Sequence, residues 1–247
     1  MQFIRKGDQM ISQEIVARMA ENVAHIREQM DQAAREAGRD PADILLCAAC
    51  KTRTVEEVRA SADLPIDIFG ENHVQELVEK YDAGAYNDKP AHFIGHLQTN
   101  KVNKVVGRAA LIQSVDSVRL LDKIDHAAGA AGIKQEILVE VNIGGEASKS
   151  GVVGEAALWD LLDQATARDH VELRGLMAIP PADATESQTR AFFADMRKLL
   201  DHAREQYGVG LTILSMGMSG DFIAAIKEGA NIVRIGTAIY GARDYSK

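Results

Sequence analysis

The chain has 247 residues, about one and a half times the ~150-residue domain prior, and 46% are hydrophobic and 26% charged. With 20 Gly and 5 Pro it falls outside the collagen-like, mucin-like and disordered classes, and it is long enough to bury a substantial core. The 28 Lys and Arg against 36 Asp and Glu leave a net charge of −8, which argues against broad electrostatic binding to nucleic acid or anionic lipid and leaves room for a local basic pocket.

The longest unbroken apolar run, Ile44 to Cys50, is far short of the ~18 to 20 residues a membrane span needs. Met1 to Ser12 carries Arg5, Lys6 and Asp8 with no apolar stretch behind them, unlike a secretory signal. Two cysteines do not make a disulfide framework. The expected compartment is therefore the cytoplasm.

Apolar residues at Ile15, Val16, Met19, Val23, Ile26 and Met30 fall at helical spacings, which predicts an amphipathic helix from Ser12 to Ala37, capped by Ser12 and stopped by Gly38. A buried-strand pattern, Ile44 to Ala49, follows. Thr54 with Glu57 then forms a capping box opening a helix from Val55 to about Ala62. The alternation recurs as strand Ile66 to Phe69 with helix His73 to Tyr81, strand His92 to Gly95 with helix Thr99 to Val106, and strand Leu111 to Ser114 with helix Val118 to Ala128. It continues through strand Glu136 to Asn142 with helix Glu155 to Ala167, then strand Glu172 to Ile179 with helix Ser187 to Gln206. Strand Leu211 to Ser215 with helix Phe222 to Glu228, and strand Ile232 to Ile235 with a short segment Thr237 to Tyr240, close the series.

Eight consecutive strand-helix units with no linker between them predict an α/β fold, a single (β/α)8 TIM barrel domain over residues 1–247 with an extra N-terminal helix. The rival is a doubly wound open sheet. Its first turn would carry a glycine-rich fingerprint, and here that turn reads Cys50-Lys51-Thr52-Arg53.

In a barrel the site lies just past the carboxyl ends of the strands. Lys51 sits there after strand one, where poor solvation would favour a nucleophilic amine suited to a Schiff base. The plainer reading is a lysine that snorkels at a strand end. Barrels commonly bind phosphate at the loops after strands seven and eight. There, Ser215-Met216-Gly217-Met218-Ser219-Gly220 and Gly236-Thr237 offer hydroxyls, backbone amides and small residues. Read plainly, these are two glycine turns whose Ser219 and Thr237 cap helices; their facing a lysine on strand one favours the phosphate reading. Arg234, two residues before Gly236, shares a strand face with it and would either pair with a carboxylate or donate to a ring nitrogen of a bound cofactor. Lysine, phosphate cradle and arginine together sketch pyridoxal phosphate.

The segments Leu45-Leu46-Cys47-Ala48-Ala49-Cys50-Lys51-Thr52, Phe69-Gly70-Glu71-Asn72, His92 through Lys101, Gly175-Leu176-Met177, Leu214 through Ser219 and Val233 through Thr237 resemble, in order, those of the pyridoxal phosphate homeostasis proteins, the YggS family. The resemblance covers nearly everything after Ser12. It implies an alanine-racemase-like barrel with pyridoxal 5'-phosphate on Lys51 as a Schiff base, phosphate contacts at Ser219, Gly236 and Thr237, and Arg234 at the pyridine nitrogen. Asn72 and Met216 match positions near the cofactor. It further implies a carrier or regulator of the cofactor, with no catalytic residue of its own, whose partners are the cofactor and recipient enzymes that use it. A monomer is expected. Two readings compete: a cofactor-dependent amino-acid racemase of the same fold, which would normally place a further domain after the barrel, and a barrel binding another phosphorylated metabolite without a Schiff base.

Three motifs are expected to carry no chemistry. Cys47 and Cys50 depart from the small or aliphatic residues usual before the family's lysine. Three apart on a strand, they lie ~10 Å apart on opposite faces, beyond the ~7 Å limit for a disulfide, and read as core. His92 and His96 flank a strand and do not form a metal pair. Gly144 to Ser150 fails as a phosphate loop because Ser148 stands where a glycine belongs, and reads as a mobile loop. No metal site is expected, and Met1 to Ile11 has no assigned role.

Overall fold

A computed structural model describes residues 11–146 and 149–241. Eight parallel strands close into one barrel in sequential order: β1 Leu45–Ala49, β2 Ile68–Glu71, β3 Ala91–Phe93, β4 Leu111–Val115, β5 Gln135–Val141, β6 Val171–Ala178, β7 Ile213–Ser215 and β8 Ile232–Ile235. Strand β8 returns to β1 in the register Leu45 to Ile232 through Ala48 to Ile235. The helices are α1 Gln13–Glu36, α2 Val55–Ser61, α3 Val74–Asp82, α4 Val102–Val105, α5 Val118–Ala131, α6 Glu155–Thr166, α7 Glu186–Tyr207, α8 Phe222–Lys227 and α9 Thr237–Tyr240. The barrel and its leading helix match the sequence expectation.

Local signals explain most boundaries. Ser12 accepts from the Ile15 amide at 3.3 Å and starts α1; Gly38, at φ 68°, ends it. Thr54 and Glu57 exchange both bonds of the capping box, at 2.8 and 3.2 Å. Strand β7 begins at Ile213 instead of Leu211, because the Asn231 side chain takes the Leu214 amide and donates to the Thr212 carbonyl in place of a neighbouring strand. The expected helix Thr99 to Val106 is split, with a tight turn at Thr99–Lys101 preceding α4.

Period-two alternation divides the side chains into two cores. The larger lies between the strands and the helices, built from residues such as Leu46, Phe69, Phe93, Ile112, Val139, Leu176 and Val233. Inside the barrel, Cys47, Ile68 and Ile232 form one apolar cluster, and Leu111, Leu138 and Met177 another. Polar residues also lie buried in the barrel, His92, Gln113, Ser215 and Arg234, linked in one chain of hydrogen bonds. Among the described residues, no helix is long and apolar enough to cross a membrane.

Candidate cofactor site at the barrel seam

A cavity of about 220 Å3 opens where the first and last strands meet, lined by Ala49, Lys51, Arg53, Met218, Ser219, Gly220, Arg234, Gly236 and Thr237. Five of the seven residues singled out from sequence, Lys51, Ser219, Arg234, Gly236 and Thr237, are brought together here. Position at the strand ends explains the gathering: Lys51 and Arg53 lie in the turn just past Ala49, the last residue of β1, and Arg234 and Gly236 lie at and just past the end of β8. Asn72 follows β2, outside the lining; its Oδ1 is buried with no hydrogen-bond partner among the described residues. Met216 is fully buried in the outer core, since alternation turns it away from the barrel when Ser215 points in. Its side chain is therefore not part of the cavity wall.

The turn after β7 depends on glycine. Gly217 has φ 94°, and a Cβ there would lie 2.5 Å from that of Ala225 and 3.0 Å from Phe222 Cα. The Gly217 carbonyl accepts from the Arg234 amide at 2.9 Å, fixing this turn against β8. At Gly236 a Cβ would meet the Ala49 carbonyl at 2.9 Å, so only glycine lets β8 approach β1 this closely at the cavity. Neither hydroxyl caps the helix that follows it. Asp221 stands at the start of α8 and accepts from the Met218 amide at 2.6 Å, while Gly236 precedes α9. Ser219 Oγ has only a long contact, 3.4 Å, from the Ala238 amide. The plainer reading of two helix caps thus fails, leaving two hydroxyls at the cavity.

Arg234 is 4% exposed. Its guanidinium donates to Ser215 Oγ at 2.6 Å and to the Ala178 carbonyl at 3.0 Å, so no carboxylate holds it directly. Ser215 donates in turn to Gln113 Oε1 at 2.6 Å. The Gln113 amide then donates to His92 Nδ1 at 2.9 Å, which puts the histidine proton on Nε2. Burial pushes the His92 pKa down to about 3, so the ring is neutral and suited to this accepting role. Burial likewise presses the arginine's pKa downward. The chain of donors thus runs outward from a cation, through three neutral groups, and sets the guanidinium plane.

A second buried cluster flanks Lys51. Glu71 Oε1 accepts from Lys80 Nζ at 2.8 Å, Cys50 Sγ at 2.9 Å and Tyr86 OH at 3.2 Å. Burial raises the Glu71 and Tyr86 pKa values and lifts the Cys50 thiol far above its usual range, so this thiol is a donor and not a nucleophile. Cys47 is pushed up to about 12 by burial. Both cysteines are free and buried. His96 sits 3.7 Å from Asp116 and 3.3 Å from Ser150, while His92 is committed to Gln113. Among the described residues, no three His, Cys, Asp or Glu side chains converge as a metal site. Asn142 folds the following loop by binding the Glu146 amide and the Glu146 and Lys149 carbonyls; Ala147 and Ser148 lie outside the described residues, as do residues 1–10.

Sequence reasoning missed the Glu71 cluster and the Gln113 to His92 chain, whose partners are far apart in sequence. Arg53 had a signal, since it lies in the same turn after β1 as Lys51.

The chain belongs to the family described as alanine racemase, N-terminal domain, which matches residues 16–244. Alanine racemase from Clostridium difficile in complex with cycloserine shares the fold, at a TM-score of 0.73 and 17% identity, covering 96% of this chain and 62% of that one. Within this class the chain belongs to the pyridoxal phosphate homeostasis proteins. It is 41% identical over 225 residues to the one from Aquifex aeolicus, covering 91% of this chain and 98% of that protein. It is 40% identical to the one from Pseudomonas aeruginosa, over 92% of this chain and 96% of its relative. PipY of Synechococcus elongatus, solved with PLP bound, is similar at a TM-score of 0.79 and 32% identity, over 90% of this chain and all of that one.

Proposed function

We propose that this chain binds pyridoxal 5'-phosphate in the seam cavity and acts as a carrier or regulator in intracellular homeostasis of that cofactor. The observation that carries the reading is the convergence of Lys51 from β1 with Ser219, Gly236 and Thr237 from the ends of β7 and β8. The donor set suits such a ligand. Neither hydroxyl caps the helix that follows it, a Cβ at Gly236 would crowd the Ala49 carbonyl beside the cavity, and Arg234 supplies donors only. When bound, the cofactor supplies an aldehyde that an amine takes up reversibly. Lys51 would hold it as a Schiff base, with Ser219, Gly236 and Thr237 around the phosphate. Arg234 would face the ring nitrogen; as a cation it favours the unprotonated pyridine and weakens the electron sink that amino-acid chemistry needs. Asn72 Oδ1, just past β2 and outside the cavity lining, is buried without a hydrogen-bond partner among the described residues, and the reading keeps it near the cofactor only on motif likeness. The same reading includes a single domain working as a monomer in the cytoplasm, with cofactor-requiring enzymes as recipients.

The test is an absorbance spectrum of the purified protein before and after borohydride reduction, with peptide mapping of the pyridoxyl adduct. The adduct is expected on Lys51, and Lys51→Ala should lose the long-wavelength band with an unchanged circular dichroism spectrum. Ser219→Ala and Thr237→Ala should each weaken binding by about 1 to 3 kcal/mol, through loss of a charge-assisted hydrogen bond. Amino-acid racemisation is expected at background. An adduct mapped elsewhere sinks the reading, and a robust racemase turnover lost in Lys51→Ala replaces the carrier with an enzyme.

A further inference from the structure

The turn that carries Lys51 is gripped on both sides. The Lys80 ammonium, on α3 and only 1% exposed, donates to the Cys50 carbonyl at 2.8 Å, immediately before Lys51. It also donates to Glu71 Oε1 at 2.8 Å and to Glu76 Oε2 at 3.2 Å, which uses all three of its protons. Glu76 Oε2 in turn accepts from the Thr52 amide at 2.7 Å, immediately after Lys51. A helical Glu76-Lys80 pair at i and i+4 is ordinary by itself. What is not ordinary is that the same two charged groups reach across to the backbone of another strand's turn, at the residues on either side of one lysine.

The backbone there needs holding. Thr52 has φ 64°, in the left-handed region that a β-branched residue rarely enters. Such a conformation costs free energy and persists only where surrounding contacts over-determine it. The Thr52 amide bond to Glu76 and the Cys50 carbonyl bond to Lys80 add side-chain contacts to the turn's own bond from the Arg53 amide to the Cys50 carbonyl, 3.1 Å, and to the Cys50 amide bond to the Gly70 carbonyl, 2.9 Å. Burial by itself would lower the Lys80 pKa, but the facing acidic groups more than offset this and hold it as an ammonium.

We infer, on the cofactor reading above, that Glu76 and Lys80 are positioning residues for Lys51: they fix the strained turn so that the lysine stem enters the seam cavity instead of swinging out with a relaxed loop. They act through the backbone and need not touch the ligand. Lys80 is the buried anchor, and Glu76, whose side chain is 23% exposed, is the arm that reaches Thr52.

Glu76→Ala removes the arm from a half-buried position and leaves the Lys80-Glu71 pair in place, while Glu76→Gln keeps an oxygen able to accept from the Thr52 amide. In the cofactor-free protein, amide hydrogen exchange at Thr52 should rise about tenfold or more in Glu76→Ala, with β4 amides unchanged. When pyridoxal 5'-phosphate is added and trapped with borohydride, the rate of attachment to Lys51 should fall about tenfold, as for any misplaced reacting group. Inorganic phosphate, which reads only the cradle, should compete as well as in the parent protein, and Glu76→Gln should restore both exchange and attachment. Attachment at the parent rate in Glu76→Ala, an equal loss of phosphate affinity, or failure of Glu76→Gln to restore would each overturn the inference. If Lys51 of the parent protein takes no cofactor, the cofactor reading fails on its own. The Thr52 exchange then decides the grip by itself: a rise in Glu76→Ala upholds it, and unchanged exchange overturns it.

Discussion

His92 and Glu140 are both buried, and burial acts on them in opposite senses. His92 titrates near pH 3 in the fold against an ordinary 6.5. Between those values the unfolded chain binds a proton that the folded one refuses, so this residue makes stability rise with pH. Glu140 is raised by burial, with help from Asp116 and against the pull of Arg234, to about 7 from an ordinary 4.5. From 4.5 to 7 the folded chain keeps a proton that the unfolded one has lost, so this residue makes stability fall with pH. Each slope approaches about 1.4 kcal/mol per pH unit, and in the overlap from 4.5 to 6.5 the two oppose each other. Substituting one unmasks the other. Relative to the parent, His92→Gln should tilt the urea-denaturation stability of the cofactor-free protein downward as pH rises through that overlap, and Glu140→Gln should tilt it upward. Parallel profiles for both variants and the parent would refute the assignment. Neither shift was legible in the sequence: His92 could be placed beside a strand, but its partner Gln113 and its burial inside the barrel are properties of closure.

Strands and helices were legible wherever one local signal decided them. The Thr54-Glu57 box was read directly, while the equivalent box at Thr185 and Gln188, which starts α7, was passed over for a start at Ser187. Lys51, Ser219, Arg234, Gly236 and Thr237 were legible as a candidate site because position at or past the end of a strand is a one-dimensional fact. Met216, matched by motif likeness to a position near the cofactor, has its side chain turned into the outer core by parity along the chain. Strand β6 holds a constraint that composition hides. Gly175 lies where the β5 to β6 register shifts, at φ 150°, and a Cβ there would run into the Ile213 carbonyl of β7. Gly175→Ala should therefore push β7 outward and cost about 3 kcal/mol, seen as a lower urea midpoint with an unchanged m value. A midpoint equal to the parent's would show that β7 moves freely.

The whole molecule is a ring with one join, and α1 covers it. Helices α8 and α9 are short, and the 24-residue α1 packs against both. Asn22 donates to the Ile239 carbonyl at 2.9 Å, and just past the helix Arg39 donates to the Ile226 and Ala230 carbonyls at 2.8 and 2.7 Å. The leading helix thus does what a long eighth helix does elsewhere in the ring. Arg39→Ala should lower stability by about 2 kcal/mol, the worth of hydrogen bonds from a charged donor, and faster hydrogen exchange should appear first in β8 and β1. Exchange rising first in β4 or β5 would place the weak point away from the join.

The join also sets an order in time. A ribosome releases Lys51 early and Thr237 late, on the order of ten seconds or more apart at ordinary elongation rates. Until β8 docks on β1, the lysine has no cradle opposite it, so a nascent chain cannot take up a ligand that needs both. Whatever the cavity binds, it binds only in the closed ring, and by mass action it strengthens that closure. Loading therefore comes after the last act of folding.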